Sequence, residues 1–339
     1  MAERRPPGLT RRRFTAAAAA TIASIAVVRS PARAAQFSYK YGTDQSLESP
    51  LCSRAVEMWH AVERETGGRL SVKMFPNSIL GGDSQMFSQI RSGALELVTL
   101  TGGLMAGVVP NASLPEVAFA FADPQRAFAA IDGDVGAYVI KECAAKDLVV
   151  LPHPWDNGFR QITANKPVRT AADLDGLKIR VPAAPMYLDL FKSLGAAPTP
   201  INVSELYTAL QTHVVDAQEN ALLNIEQSNI YQVQKTLNFS NHSWSVWWFV
   251  FNADAWKALP PDVQAVVTRN VAKYGLLQRR DFAARTASLT DRLHRQGMTV
   301  YACDVASLKA RLTAYYARWK ATFGPAAWAT LEKYTGSLA

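Results

Sequence analysis

Three segments decide the architecture: FRQIT at 159–163, LDGLKIRVP at 174–182 and ELYTALQTHVVDAQENAL at 205–222. Lys178 and Arg180 alternate with Ile179 and Val181, which is strand periodicity, and Pro182 stops the run. Ser204 to His213 reads as a helix, VVDAQ as a further strand, and Glu219-Asn220 as the residues just beyond its end. Arg160, Arg180 and Asn220 thus stand at the ends of short apolar segments, where open α/β sheets hold their ligands. Two arginines and an amide beside an apolar cleft suit the grip of a carboxylate, because a planar guanidinium donates two parallel hydrogen bonds to such an anion.

Outward from this core the grammar repeats. Phe37, Tyr39 and Tyr41 alternate as a half-buried strand. Leu51, Ala55, Met58, Trp59 and Val62 recur at helical spacing until Gly67-Gly68, and Leu70, Val72 and Met74 resume the strand period. Asp83 or Ser84 is the expected cap of a helix carrying Met86, Phe87 and Ile90, closed by Gly93, and Leu95 to Leu100 reads as a buried strand. Thr170 caps the AADL turn, and Met186 to Leu194 forms an amphipathic helix ended by Gly195. Late in the chain NHSWSVWWFVFNADAW is an aromatic-rich strand, and Pro260-Pro261-Asp262 opens a helical remainder.

The first residues carry a targeting signal. Thr10-Arg11-Arg12-Arg13-Phe14 precedes an apolar run from Ala16 to Val28 and a small-residue site at Ala32-Arg33-Ala34, the pattern of a twin-arginine export signal cleaved after Ala34. The run is shorter than the ~20 residues a spanning helix needs. Charge follows from this: the chain carries 36 Lys+Arg against 28 Asp+Glu, net +8, but residues 1–34 hold seven arginines and one glutamate, leaving about +2. The basic balance therefore gives no argument for nucleic acid. Cys52, Cys143 and Cys303 lie far apart with no CxxC spacing, so neither a zinc nor a redox site is expected, and a disulfide among them stays open. His213, Asp216 and Glu219 have regular spacing but straddle a helix end and a strand, so they are not expected to converge on a metal. There is no GxSxG, HExxH, GxGxxG or P-loop.

The segment ADLDGLKIRVPAAPMYLDLFKSLGAAPTPINVSELYTALQTHVVDAQENAL resembles the signature of the substrate-binding subunit of TRAP (tripartite ATP-independent periplasmic) transporters. Further matching pieces are FSYKYG at Phe37, GGRLSVKMFPNSILGGDSQMFSQIRSGALEL at Gly67, NGFRQIT at Asn157 and IYQVQKTLNFSNH ending at His242. The resemblance implies an α/β, two-lobed periplasmic-binding-protein fold with crossing hinge strands and a long lobe-spanning helix. After a signal peptide at 1–34, lobe I is expected from 35–157 plus 243–285, and lobe II from 158–242 plus 286–339.

It also implies site roles. Arg180 matches the family's principal carboxylate clamp, Arg160 a second arginine of the anion site, and Asn220 the asparagine of a DGQENP motif that here reads DAQENA, with Ala217 and Ala221 replacing glycine and proline. Some TRAP receptors for keto acids carry a tryptophan and glutamate here and hold the carboxylate through a metal; Glu219-Asn220 instead argues for a metal-free site, and no cofactor is expected. Thr101 and Val203 stand where sialic-acid receptors have glutamate and phenylalanine, which argues against sialic acid. Asp44, Thr101, Gly102, Trp155, Val203, Trp244 and Trp247 complete the expected lining.

The expected function is that of a periplasmic, monomeric solute receptor, not an enzyme, which passes a small organic acid to TRAP membrane subunits and binds no nucleic acid. An exported enzyme acting on an organic acid and a ligand-sensing receptor for a signalling partner are the alternatives.

Overall fold

A computed structural model describes residue 2 and residues 35–338 of the 339-residue chain. Apart from Ala2, the export signal expected over 1–34 lies outside these residues.

The first half alternates strand and helix. Its elements are β1 (Phe37–Gly42), α1 (Pro50–Glu65), β2 (Leu70–Phe75), α2 (Asp83–Ser92), β3 (Leu97–Leu100), α3 (Gly102–Met105), α4 (Pro124–Ile131), α5 (Asp134–Ala144) and β4 (Leu148–Val150). The second half repeats the pattern with β5 (Trp155–Ala164), β6 (Lys178–Val181), α6 (Pro185–Ser193), β7 (Ala197–Pro200), α7 (Val203–Gln211), β8 (Ala217–Ala221), α8 (Leu222–Gln227) and β9 (Thr236–Phe239). Then come β10 (Trp244–Asn252), α9 (Ala253–Ala258), α10 (Pro261–Ala287), α11 (Leu289–Arg295), β11 (Thr299–Ala302), α12 (Val305–Lys309), α13 (Thr313–Phe323) and α14 (Pro325–Thr335).

The strands run in the order β2-β1-β3-β10-β5-β8-β6-β7, with β4 beside β10 and β9 joining β5 to β11. Two strands bind the halves together. β10 pairs over Trp244–Trp247 with β5 and over Trp248–Asn252 with β3 and β4. β5 pairs over its first residues with β10 and over Arg160–Ala164 with β8. The register shifts between Ser245 and Val246, so Asn157 is the extra residue of a bulge, a device that bends a strand and adds local twist. These are the crossing strands of a two-lobed α/β fold.

The long helix α10 serves both halves. Val263, Val267 and Val271 share one core cluster with Leu51 and Met58 of α1 and Phe249 of β10, whereas Phe282 shares another with Leu210 of α7, Leu222 of α8 and Leu237 of β9. Between these apolar ends the helix grips β5. Gln278 accepts from the Asp156 N–H and donates to the Asp156 carbonyl, both at 2.8 Å, and Trp155 Nε1 donates to the Val271 carbonyl at 3.0 Å. The Phe282 ring lies 2.8 Å from where a Cβ on Gly158 would stand, and Gly158 has φ of +87°, so only glycine serves there. The C-terminal helices touch both halves, α14 against α4 and α5, and α13 against α6.

Among the described residues no helix is long and apolar enough to cross a membrane. Cys52, Cys143 and Cys303 are free thiols, the first two buried.

Candidate functional site

Arg180 lies opposite Gln218 where β6 pairs with β8, and Arg160 lies opposite Ala221 where β5 runs antiparallel to β8. The register therefore brings Arg160, Arg180 and Asn220 to the carboxyl edge of β6 and β8. One boundary differs from the sequence expectation: β8 runs to Ala221, so Glu219 and Asn220 lie inside the strand, both buried. Cross-strand pairing with β5 extends the strand past the point at which its apolar run ends.

The two arginines have different surroundings. Arg180 is 2% exposed, yet it makes a single hydrogen bond, from Nε to the Ile201 carbonyl at 2.8 Å. Its two terminal nitrogens have no acceptor among the described residues. Asp173 caps Thr170 and Asp175 pairs with Arg311, so neither neutralises it. Burial lowers the guanidinium pKa to about 10, with Glu219, Asp83 and Asp44 partly offsetting it, and the group stays charged at neutral pH.

Arg160 is instead neutralised from within. Its Nε donates to Glu219 Oε2 at 2.5 Å and its Nη2 to Glu219 Oε1 at 2.8 Å, a bidentate pair. His242 Nε2 stands 2.9 Å from the same Oε2 and its Nδ1 2.8 Å from Ser240 Oγ. Burial alone would raise the Glu219 carboxyl, but Arg160 and His242 outweigh it and hold the pKa at about 2. Burial depresses the His242 pKa, so its neutral form donates to Glu219 and accepts from Ser240. The Arg160 guanidinium also lies 4.9 Å from the centroid of the Tyr187 ring, a cation–π contact.

Asn220 directs its side-chain oxygen inward, accepting from the Ala221 N–H at 3.0 Å and from Asn224 Nδ2 at 2.8 Å. Its amide nitrogen makes no hydrogen bond to a described residue. Asn224 holds the oxygen, and the donor is left for other use.

The opposing wall comes from the first sheet. Asp44 follows β1, and Thr101-Gly102 follows β3. A Cβ on Gly102 would stand 2.0 Å from the Ala112 carbonyl, so this glycine lets the 110–116 turn lie against the start of α3. That turn brings Glu116 Oε1 to the Gly103 N–H at 3.0 Å, while Oε2 is buried without a partner. Burial raises the Glu116 pKa to about 7.

The expected cap of α2 is also revised. Gly82 is the N-cap, with its N–H bonded to the Gln85 side chain. Asn202, ahead of α7, accepts from the N–H and hydroxyl of Ser84 at 3.3 and 3.1 Å. A residue 118 positions away thus supplies the acceptor that Asp83 or Ser84 was expected to give, and it ties the two walls together. Asp83, the first residue of the helix, is 3% exposed, and its Oδ1 has no partner. Between the walls runs a groove of about 260 Å³, lined by Asp44 on one side and Val203, Tyr207 and Asn224 on the other.

The tryptophans lie elsewhere. Trp155 and Trp247 face each other across β5 and β10 in the core beneath α1 and α10, and the Trp155 indole N–H is already used by α10. Trp244 packs edge-on against Phe121 and Phe128 and lines a separate cavity of about 470 Å³ with Phe159, Phe282 and Asp156. The structure therefore brings Arg180, Arg160 and Asn220 to one strand edge, with Asp44 close enough to feel both guanidinium charges; Asp44 and Val203 line the groove, which the two arginines and Asn220 do not; Thr101 and Gly102 follow β3, and the three tryptophans sit in packed aromatic clusters.

Sequence reasoning passed over Glu219 as the partner of Arg160, and over His242, Tyr187, Glu116 and Asp83. A charged residue in the middle of a fully buried strand was the available signal for Glu219, since such a charge must be paired. His213 and Asp216 do not join it; they stand 3.6 Å apart at the surface. Among the described residues no group of three or more His, Cys, Asp or Glu could hold a metal.

Comparison with known proteins bears on the family and the fold. The profile of the bacterial extracellular solute-binding proteins, family 7, matches residues 41–323. An uncharacterised protein of Sinorhizobium fredii is 36% identical over 83% of the chain, which spans about half (52%) of that relative's length. The 2,3-diketo-L-gulonate-binding periplasmic protein of Escherichia coli is 32% identical over 82% of the chain and 85% of its own. Among solved structures, a TRAP periplasmic solute-binding protein of Xanthobacter autotrophicus with bound β-D-galacturonate superposes with a TM-score of 0.84, at 26% identity, over 88% of this chain and 99% of that one.

Proposed function

The chain belongs to family 7 of the bacterial extracellular solute-binding proteins, and from that premise we propose that it is a periplasmic receptor that captures a small organic acid and hands it to a TRAP-type membrane permease. The observation that carries this reading is Arg180: a buried, charged guanidinium whose terminal nitrogens face no acceptor, at the carboxyl edge of the second sheet. A buried charge needs a partner, and an incoming carboxylate supplies both the counter-charge and two acceptor oxygens.

Arg180 is the clamp in this account. Arg160, held by Glu219 and Tyr187, sets the positive field behind it. Asn220 offers its amide N–H to the same anion, and Asp44, Thr101, Gly102 and Val203 line the rest of the space. Ligand bridging the two walls favours the closed form, a hinge closure about β5 and β10, with the Ser84–Asn202 hydrogen bonds as its latch. Closure removes water and strengthens the guanidinium–carboxylate contact. The receptor itself carries out no chemistry; the permease reads its loaded shape.

The test is a thermal-shift screen of small organic acids against the mature protein. A true ligand at ~100 times its dissociation constant raises stability by about 2.7 kcal/mol. A complete absence of acid-dependent shifts, with clear shifts from neutral sugars or amines, would refute the reading.

A further inference from the structure

The cavity beside Trp244 lies apart from the groove and shares no lining residue with it. It encloses about 470 Å³ where β5 and the start of β10 meet α4, α8, β9 and α10, a size that suits a small organic molecule. Its walls are the rings of Phe128, Phe159, Phe239, Trp244 and Phe282, and among them stands one carboxyl group. Asp156 is 6% exposed, and its Oδ1 is buried without a hydrogen-bond partner. Gln278 holds the N–H and the carbonyl of the same residue, both at 2.8 Å, which fixes the backbone from which the carboxyl enters the cavity.

The cation in the lining is engaged elsewhere. Arg279 donates to both oxygens of Asp132 at 2.5 and 2.9 Å and to the Pro154 carbonyl at 2.7 Å, with its guanidinium 4.1 Å from the centroid of the Phe128 ring. Its attraction for Asp156 is outweighed by burial, which raises that carboxyl from 3.8 to about 7. A second polar atom is also open: Thr286 lines the cavity, and its Oγ1 is buried with no partner.

These features select a ligand class. An anion would meet Asp156 as a like charge. A hydrocarbon would suit the rings but leave Oδ1 and the Thr286 hydroxyl unpaired, which is costly. A quaternary ammonium would stack on the rings yet carry no hydrogen for Oδ1. A primary ammonium meets both needs, because its N–H groups donate to the carboxylate while its charge is drawn to the ring faces, and an aromatic body packs edge-on or offset against the remaining walls.

We infer that this cavity is a binding site for a small aromatic primary amine, with its ammonium on Asp156 and its ring among Phe128, Phe159, Trp244 and Phe282. The site is separate from the organic-acid groove, and the inference does not rest on Arg180.

The experiment is calorimetric titration of the mature protein with phenethylamine and with phenethyl alcohol, its neutral counterpart, at about pH 8, above the value to which burial raises Asp156. The amine is expected to bind with a dissociation constant of ~1 mM or tighter, and the alcohol at least ~10-fold more weakly. Asp156→Asn should weaken the amine by at least ~10-fold and leave the alcohol unchanged, a difference that a folding defect would not produce. Ala283 is exposed at the cavity lining, so Ala283→Trp should fill the cavity without disturbing the core and abolish binding of the amine. Absence of saturable amine binding, equal affinity for amine and alcohol, or wild-type amine affinity in either variant would each overturn the inference.

Discussion

Arg160 and Glu219 form a buried bidentate ion pair, the arginine 4% and the glutamate 0% exposed, with His242 closing the glutamate's second approach. Twenty residues on, Arg180 is equally buried but has no such partner. One guanidinium therefore belongs to the fold, and the other keeps its terminal nitrogens without an acceptor among the described residues.

Removing Arg160 strands Glu219 in the core. Arg160→Ala should cost ~3–5 kcal/mol of stability, measured by urea denaturation. Replacing both partners together, as in Arg160→Met with Glu219→Leu, should recover much of that loss, because a well-packed apolar pair tolerates the site. A single variant as stable as wild type would show that the pair carries no structural load.

Arg180→Ala should behave in the opposite way. The arginine contributes little to folding, since its one hydrogen bond is to the Ile201 carbonyl and burial outweighs the attraction of Glu219, Asp83 and Asp44, so denaturation should be unchanged or slightly improved. Affinity for an acid ligand should fall by roughly 150-fold or more, the consequence of ~3–5 kcal/mol for an unpaired buried charge. Equal affinity in calorimetry would take Arg180 out of the site.

The buried acids set the pH dependence. Burial raises Asp156 from 3.8, and Glu116 from 4.5, to about 7. A carboxyl with a higher pKa folded than unfolded stabilises the native state below its unfolded pKa, and that contribution is lost as pH rises through the folded value. Glu219 has the reverse sign: lowered from 4.5 to about 2, it stabilises above the unfolded value and loses this as pH falls toward 2. Between about pH 5 and about pH 8 the melting temperature of the apo protein should therefore decline, and Asp156→Asn should flatten that slope. A slope identical in the variant would exclude Asp156 as a source.

Gln278 fastens α10 to the crossing strand by two hydrogen bonds to the backbone of Asp156. Gln278→Leu leaves that N–H and carbonyl buried and unpaired, at about 1–3 kcal/mol for each group. Denaturation should show the loss, and amide exchange should rise at Asp156. Exchange no faster than in wild type would show that the strand does not depend on this clasp.

The alternation of strand and helix was legible because each segment carries its own period and stop signals, as in LKIRV before Pro182. The place of Arg180 near a strand end was legible because the strand period of LKIRV and its stop at Pro182 are local signals. What local sequence could not supply were contacts between distant segments. Glu219 is bonded by Arg160 across 59 residues. Asp83 looked like a helix cap until Asn202 took over the start of α2. Trp155 and Trp247 were expected in the ligand lining, but their opposition across β5 and β10 turns both into the core under α10, a fact set by strand register and not by residue type.

The most direct test of the central claim compares an acid with its own amide. Once a ligand acid is identified, its primary amide preserves shape but presents Arg180 with a neutral, partly mismatched group, and the carboxylate clamp predicts a loss of affinity exceeding ~100-fold. Both are titrated into the mature protein by calorimetry at a single salt concentration. Comparable affinities for acid and amide would contradict the account of Arg180 and, with it, the reading of this chain as a receptor for organic anions.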